Sequence, residues 1–397
     1  MKLRKLLHGN ILLLPWLLAA QTLVLAQETT GEDKNITMAL SLGSYDFQSI
    51  FDDNRKQLGF DVVQARIDNA DMKLEILTRI DTKALPDAII MPSDTLGLEQ
   101  ARFSTIPRDW IDPHMSDSNL ALAEVEGELK GIPLIAGNHL LLYYNKSLIQ
   151  QPALSWQQLK SQQSTLERAE LIGWPYHEGF WILPFLSAFD ALPFEEGQIR
   201  FQQPGTLQAF QFLKELRDNK VLDTSCNYQC NQDKFINSRL AYIINGVWSH
   251  ELYAKHLGDN LGIALLPQIG DKKMRPYRSA HVLAFPNQGV TGKKRASLQK
   301  LSLLMQSETI QLRLWKDFRA LPTNKKVEEQ ILQNANDKTQ VLFKQLEGAP
   351  AMPNEEVMAI VWEAIIIGFS RFDGGAMTAE QASNYMQYIA EKSRDEK

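Results

Sequence analysis

The chain has 397 residues, 44% of them hydrophobic and 22% charged, and a formal net charge of −5. That length and balance fit a globular protein of two domains or one large one, with a core of useful size. The acidic balance, with no basic stripe, argues against a nucleic-acid partner.

Met1-Lys2-Leu3-Arg4-Lys5 is a basic start, followed by an apolar run from Ile11 to Ala20 and by Val24-Leu25-Ala26. This is the layout of a signal peptide over residues 1–26, cleaved after Ala26 to release a periplasmic chain. Gln21-Thr22 interrupts the apolar run, which is too short for a membrane anchor. Elsewhere, the most apolar stretch is 358–369, and Glu363 sits in its middle.

Taken in order, Ile36–Leu42 reads as a strand, Phe47–Leu58 as a helix and Phe60–Ile67 as a second strand. Ala70–Ile80 has helical spacing, and Pro86–Met91 is a short buried strand. A β-α-β-α-β opening implies a parallel sheet. Leu140–Asn145 is another strand, Trp156–Arg168 a polar helix, and Leu171–Tyr176 a strand followed by the aromatics Tyr176, Phe180 and Trp181. Pro204-Gly205-Thr206 opens a helix to Asn219, with Leu207, Phe210, Leu213 and Leu216 as its apolar stripe.

Cys226 and Cys230 are the two cysteines. In an exported chain they read as a local disulfide. The alternative, a metal pair, lacks nearby histidine partners.

Ala241–Trp248 is apolar on both faces, as in a parallel sheet. It stops at Asn245-Gly246, which reads as a tight turn at positive φ, and presents Trp248 at the carboxyl end of a strand. Strands follow at Leu261–Pro267 and His281–Pro286. The remainder is helical: 293–305, one long helix over 327–346, a buried helix over 357–369, and a last helix opened by the Thr378–Gln381 capping box.

No Gly-rich phosphate loop, nucleophile elbow or two-histidine zinc helix is present, and no cofactor or metal is expected. His250, Glu251 and His256 do not share a helical face. What recurs is aromatics at strand-to-helix junctions: Tyr45, Tyr176, Trp181, Trp248 and Trp362. One such residue is ordinarily core. Several together outline a flat-faced cleft of the kind that stacks on the C–H face of a sugar ring.

Four segments in one order carry a resemblance: Pro86-Asp87-Ala88-Ile89-Ile90, Leu141–Lys146, Ala241–Trp248, and Met352-Pro353-Asn354 with Trp362 beyond it. The chain resembles the maltose-binding-protein-like sugar group of the extracellular solute-binding proteins of ABC importers. The resemblance implies a two-lobed α/β fold of the periplasmic binding protein (Venus flytrap) type, each lobe a mainly parallel sheet flanked by helices. It places lobe one at 27–136 plus 281–330 and lobe two at 137–280 plus 331–397. It implies a monomer that takes a carbohydrate in the cleft and docks on membrane permease subunits, with no chemistry on the ligand.

Carried over residue by residue, Trp248 and Trp362 match the family's stacking tryptophans, Tyr176 a second-lobe tyrosine, and Asp94 a first-lobe carboxylate. Trp181 joins the aromatic set, Ser44 and Tyr45 stand where the family has a charged pair, and Asn138 or His139 stands for an acidic residue near the hinge. Met91 and Thr95 replace a family tryptophan and arginine, so the first-lobe clamp is altered while the second-lobe platform is kept. Three alternatives remain: a same-fold receptor for a polyamine, a periplasmic sensor subunit, and a glycan-acting enzyme.

Overall fold

Nine strands of four residues or more, among the described residues, form two sheets. The computed structural model describes residues 35–41, 45–66, 85–286 and 289–396. The expected signal peptide, Ser44 and the expected 70–80 helix lie outside the described residues.

In chain order the strands are β1 Ile36–Leu40, β2 Val62–Arg66, β3 Ala88–Pro92, β4 Ile132–Gly137, β5 Leu140–Asn145, β6 Glu170–Gly173, β7 Leu240–Gly246, β8 Leu261–Ala264 and β9 Ser279–Ala284. The first sheet has the order β2-β1-β3-β9-β4 and the second β8-β5-β7-β6. In each sheet one strand opposes the rest: β9 runs antiparallel to β3 and β4, and β5 antiparallel to β7 and β8. β7 is therefore parallel only to β6, which corrects the expectation of an all-parallel setting for it. Its seven residues are all buried, as its two apolar faces require.

The chain passes from the first sheet to the second through Gly137-Asn138, both at positive φ (101° and 41°). A Cβ on Gly137 would lie 2.9 Å from His139 Nδ1, so both the backbone and the space demand glycine there. The return runs from β8 to β9. Pro133 sits in β4, an edge strand, where its missing N–H costs no central ladder bond. The β4–β9 register shifts beside it, between His281 and Val282.

Two further expectations fail. The 327–346 stretch is two helices, Lys325–Gln333 and Asp337–Leu346, because Asn336 caps the second by accepting from the Thr339 N–H at 2.9 Å. The expected lobe boundary at 330/331 falls inside the first of these. Val327 and Ile331 belong to a buried cluster that joins Leu141, Tyr143 and Ile243 of the second sheet with Ala136 of the first. The expected 156–168 helix ends at Ser161 and continues as a 3-10 turn.

Candidate functional site

A cavity of about 440 Å³ opens between the two sheets. Ser41 and Asp94, just beyond β1 and β3, and His281 on β9 line one side. Phe180, Trp181, Trp248, Trp362 and Ile366 line the other. Ligands of open α/β sheets collect at such strand ends. Among the described residues, no Lys or Arg lines the cavity, and the carboxylates that do are Asp94 and Glu178.

The aromatic side is built by two strand-to-helix junctions and one long helix. β6 leads to the Gly179–Ala188 helix, which carries Phe180 and Trp181, and β7 leads directly to Trp248. Trp362 comes from the Val357–Asp373 helix. The Phe180 ring lies 6.1 Å from Trp248 and 6.5 Å from Trp362, and Trp181 meets Trp248 edge-on at 6.5 Å and 87°. These are ordinary aromatic contact geometries and give a continuous apolar wall. Hydrogen bonds fix two of the rings. Trp181 Nε1 donates to the Ile244 carbonyl at 2.9 Å, and Trp248 Nε1 donates to the Tyr228 hydroxyl at 3.0 Å. Tyr228 lies between Cys226 and Cys230, which are disulfide-bonded, and its hydroxyl is 3.3 Å from Ser249 Oγ.

Gly246 is not the expected turn residue. Its φ of −78° and ψ of 162° are ordinary extended backbone. Glycine is needed there because a Cβ would fall 2.1 to 2.2 Å from three carbons of the Trp248 ring.

The opposite side is polar and poor in charge. Asp94 keeps part of its surface open yet sits deep in the protein, and burial pushes its carboxyl up to about 6. Burial pulls the His281 imidazole down to about 4, so it is neutral at pH 7. Asn138 donates to Ser279 Oγ at 2.8 Å. Met352 is carried by a segment that Asn354 ties to the Leu122 and Glu124 carbonyls, at 3.2 and 2.8 Å.

The structure brings Trp248, Trp362, Trp181, Asp94 and Asn138 to this cavity. Three sequence candidates are elsewhere and are corrected. Tyr176 is buried in the second-lobe core, where its hydroxyl donates to the Leu213 carbonyl (3.0 Å) and contacts Asp373 (3.2 Å). Tyr45 is buried and stacks on Phe318 at 4.8 Å. His139 is fully buried beside Gly137, and its carbonyl accepts the Val247 N–H at 3.1 Å. Phe180, Glu178, His281, Ser41 and Ile366 line the cavity without having been singled out as ligand-binding residues. For Phe180 the signal was its place beside Trp181 after a strand.

Two sheets joined by chain crossings, with an aromatic-walled cavity between them, define a two-lobed binding protein. More particularly, the chain belongs to the bacterial extracellular solute-binding proteins, whose family model matches residues 50–341. It is 22% identical over 305 residues to the maltodextrin-binding protein MdxE of Bacillus subtilis (strain 168), covering 70% of each chain. Its fold is similar to that of the maltose/maltodextrin-binding domain MalE from Bdellovibrio bacteriovorus, solved bound to maltotriose. That match has a TM-score of 0.80 and 21% identity over 91% of this chain and 100% of that one. No helix among the described residues is long and apolar enough to cross a membrane.

Proposed function

We propose that this chain captures a neutral carbohydrate of the maltodextrin type between its lobes, in the periplasm, and delivers it to the membrane subunits of an ABC importer. It does so as a monomer and leaves the ligand unchanged. The observation that carries this reading is the wall of Trp248, Phe180 and Trp362 facing a polar side with no cationic residue among the described ones. Sugar rings stack by their C–H faces on such a wall, and their hydroxyls exchange hydrogen bonds with Asp94, Asn138, Ser41 and a neutral His281. With no Lys or Arg among the described lining residues, sugar phosphates and sugar acids are disfavoured. Binding energy for lobe closure comes from contacts made to both sides together.

A polyamine is the second reading, since Asp94 and Glu178 are the charged groups among the described lining residues. With its carboxyl pushed up to about 6, Asp94 is a costly anion to keep and a poor counter-ion. A thermal-shift panel of maltodextrins, polyamines and sugar phosphates separates the two. The sugar reading expects a melting temperature that rises with maltodextrin concentration. A response to polyamines alone contradicts it. Recovery of intact sugar after long incubation distinguishes binding from hydrolysis.

Two predictions follow from how the Trp248 ring is held. Gly246→Ala forces that ring aside, and overpacking of this kind costs ~1–3 kcal/mol. Sugar affinity then falls about tenfold or more, while the extended backbone at this position accepts alanine. An unchanged affinity by calorimetry would refute the crowding argument. Replacing Cys226 and Cys230 by Ser opens the small loop around Tyr228. Loop-closure entropy puts the stability loss at ~2 kcal/mol. Because Tyr228 receives the Trp248 N–H, sugar affinity falls as well, and Tyr228→Phe alone reproduces that loss at about fivefold. A double-serine variant with full affinity would sever the proposed link between disulfide and platform.

A further inference from the structure

A second cavity, of about 520 Å³, lies behind the first. Three chain segments run between the two and contribute to both. Ala136 lines the rear cavity and Asn138 the front; Arg278 the rear and His281 the front; Ala349 the rear and Met352 the front. The rear cavity thus sits on the far side of the strands that join the lobes, with the Lys325–Gln333 and Asp337–Leu346 helices as its outer wall.

Its polar groups are underused. Asn119 is 7% exposed and lines the cavity, yet its side-chain amide makes no hydrogen bond to a described residue. Its amide donors and acceptor are therefore available to whatever occupies the cavity. Arg278 is half-buried. One guanidinium nitrogen reaches the Ser118 carbonyl at 3.3 Å, and no carboxylate among the described residues pairs with it. Burial lowers its pKa with no acid opposing the shift. Glu328, also half-buried, has no cationic partner among the described residues, and burial raises its carboxyl, helped by Glu329. A half-buried cation and a half-buried anion therefore line one cavity, neither paired with an opposite charge among the described residues. Lys325 and Glu329 stand exposed at the rim, so the lining as a whole is balanced in charge.

We propose that this rear cavity is a second ligand site, for a small zwitterion carrying a carboxylate and an ammonium group, as a free amino acid does. Arg278 and the Asn119 amide take the carboxylate by charge-assisted hydrogen bonds, and Glu328 takes the ammonium. A neutral sugar would leave both charges unpaired, so this site and the front cavity select different chemistry. The inference stands apart from the sugar reading, since it uses none of the front-cavity residues.

Ligand-observed NMR titration of the full chain, free of sugar, tests it with L-alanine and γ-aminobutyrate against acetate and ethylamine. At least one zwitterion binds saturably, and the singly charged controls bind about tenfold more weakly or less. Arg278→Gln and Asn119→Ala each weaken the zwitterion about tenfold. Arg278→Lys retains part of the binding. The Arg278 backbone contacts to Pro350 and Met352 do not depend on its side chain, so these variants keep the hinge, which a melting curve verifies. The same titration on Trp248→Ala, with its front cavity disabled, retains the binding. Absence of saturable binding by either zwitterion in the millimolar range overturns the proposal. So does binding that is lost in Trp248→Ala and kept in Arg278→Gln, since that places the ligand in the front cavity.

Discussion

Trp248→Ala is expected to raise the dissociation constant of the sugar about 30- to 150-fold, a loss of ~2–3 kcal/mol. Trp248 is the ring on which the wall depends. It touches Phe180 and Trp181, its indole nitrogen is anchored on Tyr228, and Gly246 is kept bare to make room for it. A rigid aromatic held by second contacts loses little entropy when a ligand stacks on it, and the alanine variant loses both the surface and that preorganisation. The substitution also costs stability, because the ring is part-buried against the second-lobe core. Affinity is therefore measured well below the variant's own melting temperature. Trp248→Phe keeps a smaller platform and falls between. An alanine variant that binds as the parent does would move the ligand off this wall.

The second large effect is loss of stability in mild acid. Burial pulls His139 down to about 3 and His281 to about 4, and burial with the Arg319 and Lys338 charges pulls His250 to about 4. For each, the unfolded chain takes up a proton as pH falls through about 6.5, while the folded chain does so only near its depressed value. The stability these three neutral histidines carry at pH 7 is therefore lost progressively from about pH 6.5 toward 4.

Asp94 works in the opposite sense. Its folded value near 6 lies above the unfolded one, so it takes up its proton in the folded state first and adds stability on the way down. The histidines prevail by about two protons, which corresponds to a slope of ~2–3 kcal/mol per pH unit between pH 6 and 4. Urea midpoints at pH 7 and pH 5 measure it. A midpoint that is unchanged or higher at pH 5 contradicts the buried, neutral assignment. His281→Gln flattens the profile by about one proton's share.

Much of this architecture was legible because it rests on local pattern. The alternation of strands and helices gave an α/β sheet, an apolar strand ending in an aromatic singled out Trp248, and the family resemblance supplied the two lobes. Trp362 was placed by the resemblance of Met352-Pro353-Asn354 and the helix beyond it to the family's C-terminal signature. What could not be read depended on distant partners. Tyr176 follows a strand just as a ligand-stacking ring would, but its hydroxyl finds the carbonyl of Leu213 and the carboxylate of Asp373, 37 and 197 residues away. Those partners turn it into the core. Asn245-Gly246 has the composition of a turn, yet the constraint on Gly246 is a ring two residues ahead that folds back over it. His281 sits in a strand whose pattern is ordinary, and the register shift beside it is a property of pairing with β4. The broken 327–346 helix was readable in principle, because Asn336 is a good N-cap within the polar run Asn334-Ala335-Asn336.

Calorimetric titration of the chain with a short neutral oligosaccharide, repeated at rising salt, tests the central claim most directly. The account predicts one saturable site whose affinity barely changes with salt, because stacking and neutral hydrogen bonds dominate in a cavity with no cationic residue among its described lining. No binding by any neutral sugar, together with tight polyamine binding that weakens steeply with salt, would contradict it.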